Sequence, residues 1–301
     1  MTALHGWLIL DKPLGLGSTQ GVAAVKRALR DGGYPKVKVG HGGTLDPLAT
    51  GVLPVALGEA TKLAGRLLDG DKTYQFTIRF GAETDTLDME GKIVATSDIL
   101  PDYGLAEDVL VDFIGSIDQV PPAYSALKVD GERAYDLARA GEDVVLATRR
   151  VTIHDLRYVE EGVDAEGFRY VTLNAHVSKG TYIRSLARDI ARALGTVGHV
   201  TRLRRTRAGP FDLAHAISLD ILGEAAKGRT LEHHLLPLGA GLDDIPALSL
   251  TPDQAGALRQ GRVLVGINAA DGTTLATLDD VPQALVAIAA GEVRVVRGFN
   301  L

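Results

Sequence analysis

The chain of 301 residues contains no cysteine. That absence excludes disulfides, thiolate catalysis and cysteine-ligated zinc, and it suits a reducing compartment. Long apolar runs are missing as well. The opening MTALHGWLILDKP has no basic n-region and only a short apolar stretch, so neither a signal peptide nor an anchor is expected. A cytoplasmic, membrane-free protein is the simplest reading. Its histidines show no ligand spacing beyond the adjacent His233 and His234, and no metal site is expected. There are no internal repeats and no low-complexity tract. Positive charge is the minority, with 32 basic residues against 38 acidic ones. Taken alone, that balance argues against a nucleic-acid partner.

The distribution of charge argues the other way. Between Lys179 and Arg207 stand eight basic residues, Lys179, Arg184, Arg188, Arg192, Arg202, Arg204, Arg205 and Arg207, against the single acid Asp189. Such segregation on an acidic body is the footprint of a polyanion site, or simply of a solvated basic face. A hydrophobic fraction of 46 % with 23 % charged residues is that of a soluble globular protein. The length allows one large domain and a small one.

Patterning sets out the elements. HGWLILDKP is a short apolar strand ended by Pro13, and Ser18 or Thr19 is expected to cap a helix carrying Val22, Val25 and Leu29. In KTYQFTIRFG the residues Tyr74, Phe76, Ile78 and Phe80 alternate strictly with polar ones, which predicts a strand with Tyr74 on its apolar face. A helix is expected over 106–114. Ile183, Leu186, Ile190 and Leu194 make an apolar helical stripe stopped by Gly195. Arg184 falls in the first turn of that helix, where a cation is disfavoured, so an anion should hold it. HVTRLRRTRAGPF reads as a strand with arginines on both faces. After a loop-like stretch around residues 235–254, the pieces GRVLVGI, LATLD, ALVAIAAG and VRVVRGF predict a small β-rich domain over 245–301.

The stretch GHGGTLDPLATGVLPVALG, residues 40–58, can be neither helix nor strand throughout, because glycine and Pro47 break both. It is too apolar to lie wholly in water. A rigid, partly buried loop presenting the carboxylate of Asp46 is the expected form, although a lone loop acid is more often a turn former. The loop lacks both GxGxxG and GKS/T spacing, so it is no dinucleotide or P-loop site. Taken singly, Tyr74 reads equally as a core aromatic, Arg184 as a surface arginine and Tyr182 as a helix-start staple.

Together, GHGGTLDPLATGVLPVALGEATK, KTYQF, VPPAYSALKVDGERAYDLAR, SKGTYIRSLARDI and GHVTRLRRTRAG, in this order and preceded by LILDKPLGLGST, resemble the TruB family of tRNA pseudouridine synthases. The resemblance implies an α+β pseudouridine synthase fold, with a central mixed, largely antiparallel sheet flanked by helices and loops. The catalytic domain would span 1–240, with a mobile RNA-contacting insertion over about 124–150. The small domain at 245–301 would be PUA-like. It implies isomerisation of the T-loop uridine at tRNA position 55, by base flipping and without cofactor, metal or guide RNA, in a monomer. Asp46 would be the catalytic carboxylate, Arg184 its counter-charge and Tyr74 the residue stacked on the base. His41, Tyr182 and Leu203 would line the uridine pocket. Lys179, Arg188, Arg192, Arg202, Arg204, Arg205 and Arg207 would bind phosphates. The competing expectation is a tRNA-binding or folding protein that keeps the fold without catalysis.

Overall fold

The computed structural model describes residues 3–102, 104–125, 127–129, 131–142, 144, 146–242 and 244–301. In chain order the first elements are β1 (Gly6–Lys12), α1 (Ser18–Asp31), β2 (Val39–His41), β3 (Ala49–Leu57), α2 (Ala64–Asp69) and β4 (Lys72–Phe80). Then come the short strands β5 (Ala82–Thr84) and β6 (Ile93–Thr96), helix α3 (Leu105–Leu110) and β7 (Gly115–Gln119). A small hairpin, β8 (Lys128–Val129) and β9 (Glu132–Arg133), leads into α4 (Ala134–Arg139). The long strands β10 (Arg149–Val163) and β11 (Arg169–Val177) precede α5 (Ile183–Ala193) and β12 (Gly198–Ala208). Short strands β13 (Phe211–Asp212) and β14 (Ala216–Ile217) and helix α6 (Leu219–Gly228) complete the main body. The C-terminal part holds β15 (Ala247–Ser249), α7 (Pro252–Arg259), β16 (Gly272–Leu278), β17 (Val281–Ala289) and β18 (Glu292–Gly298).

One mixed sheet runs β14-β1-β3-β12-β4-β11-β10-β7, with β2 added on β3 and β13 on β12. The β14–β1 and β3–β12 pairs are parallel, and the other pairs along this path are antiparallel. Its centre is β12, with Leu203 opposite Ala49 of β3 on one side and Phe76 of β4 on the other. The strict alternation of β4 buries Phe76, Ile78 and Phe80 against Ile183, Leu186, Ala187 and Ile190 of α5. The stripe on that helix and the stripe on that strand are the two halves of one core. Helices α1 and α6 cover β1 and β3 through Val25, Leu29, Leu222 and Ala226.

A further core joins the C-terminal part to the body. Trp7, Ile9, Val52 and Ala56 pack with Leu275, Leu285 and Phe299. The Trp7 indole N–H donates to the Leu238 carbonyl at 3.1 Å, and no Trp7 surface is exposed. Strands β15-β16-β17-β18 form a separate four-stranded sheet.

Several local expectations need correction. Gly17, not Ser18 or Thr19, is the N-cap of α1, and its N–H donates to the Gln20 side chain at 2.7 Å. The Ser18 hydroxyl is used elsewhere, as shown below. The helix over 106–114 is a six-residue helix followed by a 3₁₀ turn at Val111–Phe113. GRVLVGI is no strand; a single bridge pairs Leu264 with Val293. The loop-like stretch before it instead contains β15 and the start of α7, which Thr251 caps by accepting the Gln254 N–H. Within the expected insertion at 124–150, residues 126, 130, 143 and 145 lie outside the described residues.

Candidate active site

Asp46 lies in the connection between β2 and β3, and that connection is braced from two directions. From the chain's beginning, the Ser18 hydroxyl accepts the Leu45 N–H at 2.7 Å and donates to the Leu45 carbonyl at 3.0 Å. The Gly15 N–H donates to the Pro47 carbonyl at 2.8 Å. Lys12, with no exposed surface, donates to the carbonyls of Leu16 at 2.6 Å and Pro47 at 3.4 Å. Burial pushes the Lys12 pKa down to about 8, against the opposing pull of the Asp46 carboxylate. From β12, Arg205 donates through Nε to the Val52 carbonyl at 2.8 Å and through Nη1 and Nη2 to Thr44 and Gly43, each at 3.2 Å.

Glycine is required where these segments touch. Gly51 has φ +98°, and a Cβ there would collide with the Arg205 carbonyl. A Cβ on Gly42 would meet the Leu67 side chain at 2.7 Å. The glycine density of the loop therefore serves close backbone packing as much as turning.

Against this fixed loop stands Arg184 in the first turn of α5. Its Nη2 lies 2.9 Å from Asp46 Oδ2, which is the anion its position demanded. A second carboxylate was not foreseen. Arg184 Nη1 is 3.1 Å from Asp88 Oδ2 and also donates to the Thr86 carbonyl at 2.8 Å. Arg184 Nη2 donates in addition to the Tyr124 carbonyl at 3.0 Å. Asp88 is itself held, because Oδ1 accepts the Thr86 hydroxyl at 2.6 Å and the Glu90 N–H at 3.0 Å. The side chains of Arg184 and Asp88 are each 9 % exposed, whereas that of Asp46 is 46 % exposed. Two members of the triad are thus structural and buried, and the third faces the open.

Asp88 is presented by an unusual backbone. Leu87 before it has φ +62°, a strained conformation for a bulky residue. Burial of Leu87 and a hydrogen bond from the Val200 N–H to its carbonyl at 3.0 Å hold it there. In sequence, only the turn-rich composition of ETDTLDMEG hinted at a tight structure.

The remaining expected pocket residues converge on the same region. Tyr74 and Leu203 are half-buried, and both contact the α5-side core and the β1/β3-side core. His41 ends β2 and is half-buried, its Nδ1 accepting the Gly43 N–H at 3.4 Å. Burial first, and the Arg205 charge second, lower its pKa, so the imidazole is neutral near pH 7. Tyr182 is the N-cap residue of α5. Burial raises its phenol pKa, with the Asp46 charge adding and Arg149 and Arg184 opposing.

The basic cluster fares differently. Lys179 pairs with Asp69 at 2.9 Å, Arg188 with Asp189 at 2.8 Å and Arg192 with Glu83 at 2.9 Å. Arg204 makes two hydrogen bonds to Asp11, at 3.0 and 2.8 Å. Acids distant in sequence thus offset much of the local excess. Arg205, expected on a phosphate, is 1 % exposed and directed at loop carbonyls, so it is a brace of the Asp46 loop. Arg202 and Arg207 remain exposed, without a carboxylate partner among the described residues. Also among the described residues, no group of three His, Cys, Asp or Glu could hold a metal, and no helix is long and apolar enough to cross a membrane.

Comparison with known proteins gives consistent matches. Residues 30–183 match the family model "TruB family pseudouridylate synthase (N terminal domain)", and 184–243 match "tRNA pseudouridylate synthase B C-terminal domain". A protein of Novosphingobium aromaticivorans named tRNA pseudouridine synthase B is 66 % identical, covering 99 % of this chain and 98 % of its own. One of the same name from Zymomonas mobilis is 59 % identical, covering 99 % and 97 %. Among solved structures, an H/ACA RNP bound to a substrate RNA containing 2′-deoxyuridine is similar with TM-score 0.73 at 25 % identity, over 99 % of this chain and 86 % of that one. A Cbf5–Nop10–Gar1 complex is similar with TM-score 0.71 at 26 % identity, over 98 % and 84 %.

Proposed function

The chain belongs to the TruB family of pseudouridylate synthases and isomerises uridine in tRNA, and from that premise we propose that its target is position 55 in the T loop, with Asp46 as the catalytic carboxylate. The observation that carries the assignment is the 2.9 Å contact between Arg184 Nη2 and Asp46 Oδ2, in which the arginine is buried and the carboxylate half open. A protein that only bound RNA would gain nothing from a carboxylate beside its anionic ligand.

The reaction breaks the C1′–N1 bond, turns the uracil within the pocket and joins C1′ to C5. The C5 proton leaves and N1 regains one, so atoms balance without redox change. The Asp46 carboxylate acts at the sugar while N1 is detached, and Arg184 fixes its direction. The target base must leave its stack, at a cost of a few kcal/mol. Neutral His41, beside the loop, fits the vacated space without adding charge. Tyr74 stacks on the uracil, and the Tyr182 phenol, protonated near neutral pH, offers a donor at the pocket wall. Exposed Arg202 and Arg207 meet phosphates. The C-terminal sheet extends the RNA contact as a PUA-like domain. The relatives are named tRNA pseudouridine synthase B, and we read this chain as working in the cytoplasm without a guide RNA.

The test uses an unmodified tRNA transcript, excess chelator and chemical mapping of pseudouridine. The expected product is confined to position 55, and Asp46→Asn forms none while binding tRNA within several-fold. Turnover by Asp46→Asn, or product at other positions only, overturns the proposal.

A further inference from the structure

The segment 119–124, which leads out of β7, is fastened to the first two turns of α5 by five hydrogen bonds. Gln119 makes two of them. Its Oε1 accepts the Tyr182 N–H at 2.8 Å, and its Nε2 donates to the Tyr182 carbonyl at 3.2 Å. The Ser185 hydroxyl and Arg188 Nη2 both donate to the Val120 carbonyl, at 2.8 and 3.2 Å. The fifth is the bond from Arg184 Nη2 to the Tyr124 carbonyl at 3.0 Å.

Gln119 has no exposed surface. A carboxamide is the one uncharged side-chain group that accepts and donates side by side, which is what a single residue's N–H and C=O require. Tyr182 is the N-cap of α5 and makes no side-chain capping bond of its own. Gln119 therefore supplies from another strand the fixation that a cap would give locally. Two residues further on is Arg184. From these contacts we infer that Gln119 is a positioning residue for the isomerisation, aligning the Arg184 guanidinium on Asp46 by clasping the backbone at the helix start. This rests on the functional reading above.

The alignment is sensitive, because Arg184 must reach Asp46, Asp88 and two carbonyls at once. A displacement of about 1 Å at a reacting group can cost about 10²-fold in rate. Gln119→Met keeps length and apolar packing and removes both hydrogen bonds. Its single-turnover rate on the tRNA transcript should fall about 30- to 100-fold, with tRNA affinity within about threefold. The decisive measurement is a double-mutant cycle with Arg184→Lys. If Gln119 acts through Arg184, Gln119→Met should cost less than about threefold further in that background. Should Gln119→Met not fold, Gln119→Glu enters the same cycle. It keeps the acceptor for the Tyr182 N–H, and Arg149, its cross-strand partner on β10, offers a counter-charge. A normal rate in the single variant, or full additivity with Arg184→Lys, overturns the role of Gln119 and leaves the function standing. Wild-type protein that makes no pseudouridine overturns the function itself.

Discussion

Asp88 grips Arg184 at 3.1 Å on the guanidinium nitrogen that does not face Asp46, so one fork spans two carboxylates that are 42 residues apart in sequence. The buried partner fixes the plane of the fork, and the exposed partner, Asp46, is the carboxylate we propose as catalytic.

Asp88→Asn keeps the size but removes the charge opposite Arg184. Breaking one partner of a buried pair costs about 3–5 kcal/mol when the other is left uncompensated. The Asp46 carboxylate and two carbonyls still serve Arg184, so the lower end is expected in urea unfolding. Turnover should fall about 10- to 100-fold with tRNA affinity nearly unchanged. Loss of affinity with turnover intact would contradict this placement of Asp88.

Arg184→Lys offers one ammonium where a planar fork now serves three hydrogen-bond acceptors and the ion pair with Asp46. A loss of at least about 10²-fold in single-turnover rate is expected. A rate near wild type would mean that Asp46 needs no directional partner.

Arg205 and Arg202 separate bracing from phosphate binding. Arg202→Ala should lower the slope of log affinity against log salt by about 1. Arg205→Met should leave that slope unchanged while lowering stability, since two loop carbonyls and the Val52 carbonyl of β3 lose this donor. Salt titrations of both variants check the contrast, and a reversed pattern would return Arg205 to the phosphate set.

Lys72 is buried at the start of β4 and donates to the Leu68 and Gly70 carbonyls at 2.7 and 2.5 Å. Burial, with the Arg205 charge, lowers its pKa to about 8, which Asp71 only partly offsets. In the unfolded chain the lysine stays protonated up to about 10.4. Between these values the unfolded state holds more protons, so rising pH favours the folded state. Wild type should gain stability over Lys72→Met across that window, by up to about 1.4 kcal/mol per pH unit. Below pH 8 the difference should be flat. Urea midpoints at pH 7, 8.5 and 9.5 check the curve, and a constant difference throughout would contradict it.

Much of this was legible in the sequence because the relevant signals are local. The alternation of β4, the stripe of α5 and the glycine density around Asp46 each specify their own stretch, and the misplaced cation in the first turn announced Arg184's need for an anion. What escaped depends on distant partners. Asp88 is one acid among many until Leu87 takes a positive φ and buries it. The arginines of β12 look alike in a row, yet the pleat and two register shifts send Arg205 inward and leave Arg202 and Arg207 outside. The basic run looked like a bare cationic field because Asp69, Glu83 and Asp11, which meet three of its members, lie more than a hundred residues away. GRVLVGI has strand composition but pairs at one bridge, since Val263 and Val265 remain partly open to solvent and find no facing strand.

The bracing of the Asp46 loop by Arg205 has a consequence for biosynthesis. The Gly43 and Thr44 carbonyls meet donors from a residue 162 and 161 positions later. Asp46 has therefore long left the ribosome before the strand that immobilises it exists, and contacts of such separation form slowly because a long loop must close first. The Gly43 and Thr44 carbonyls gain these donors only when the sheet's central strand takes its place between β3 and β4, so a chain cut short before β12 carries Asp46 on a loop that lacks its Arg205 brace.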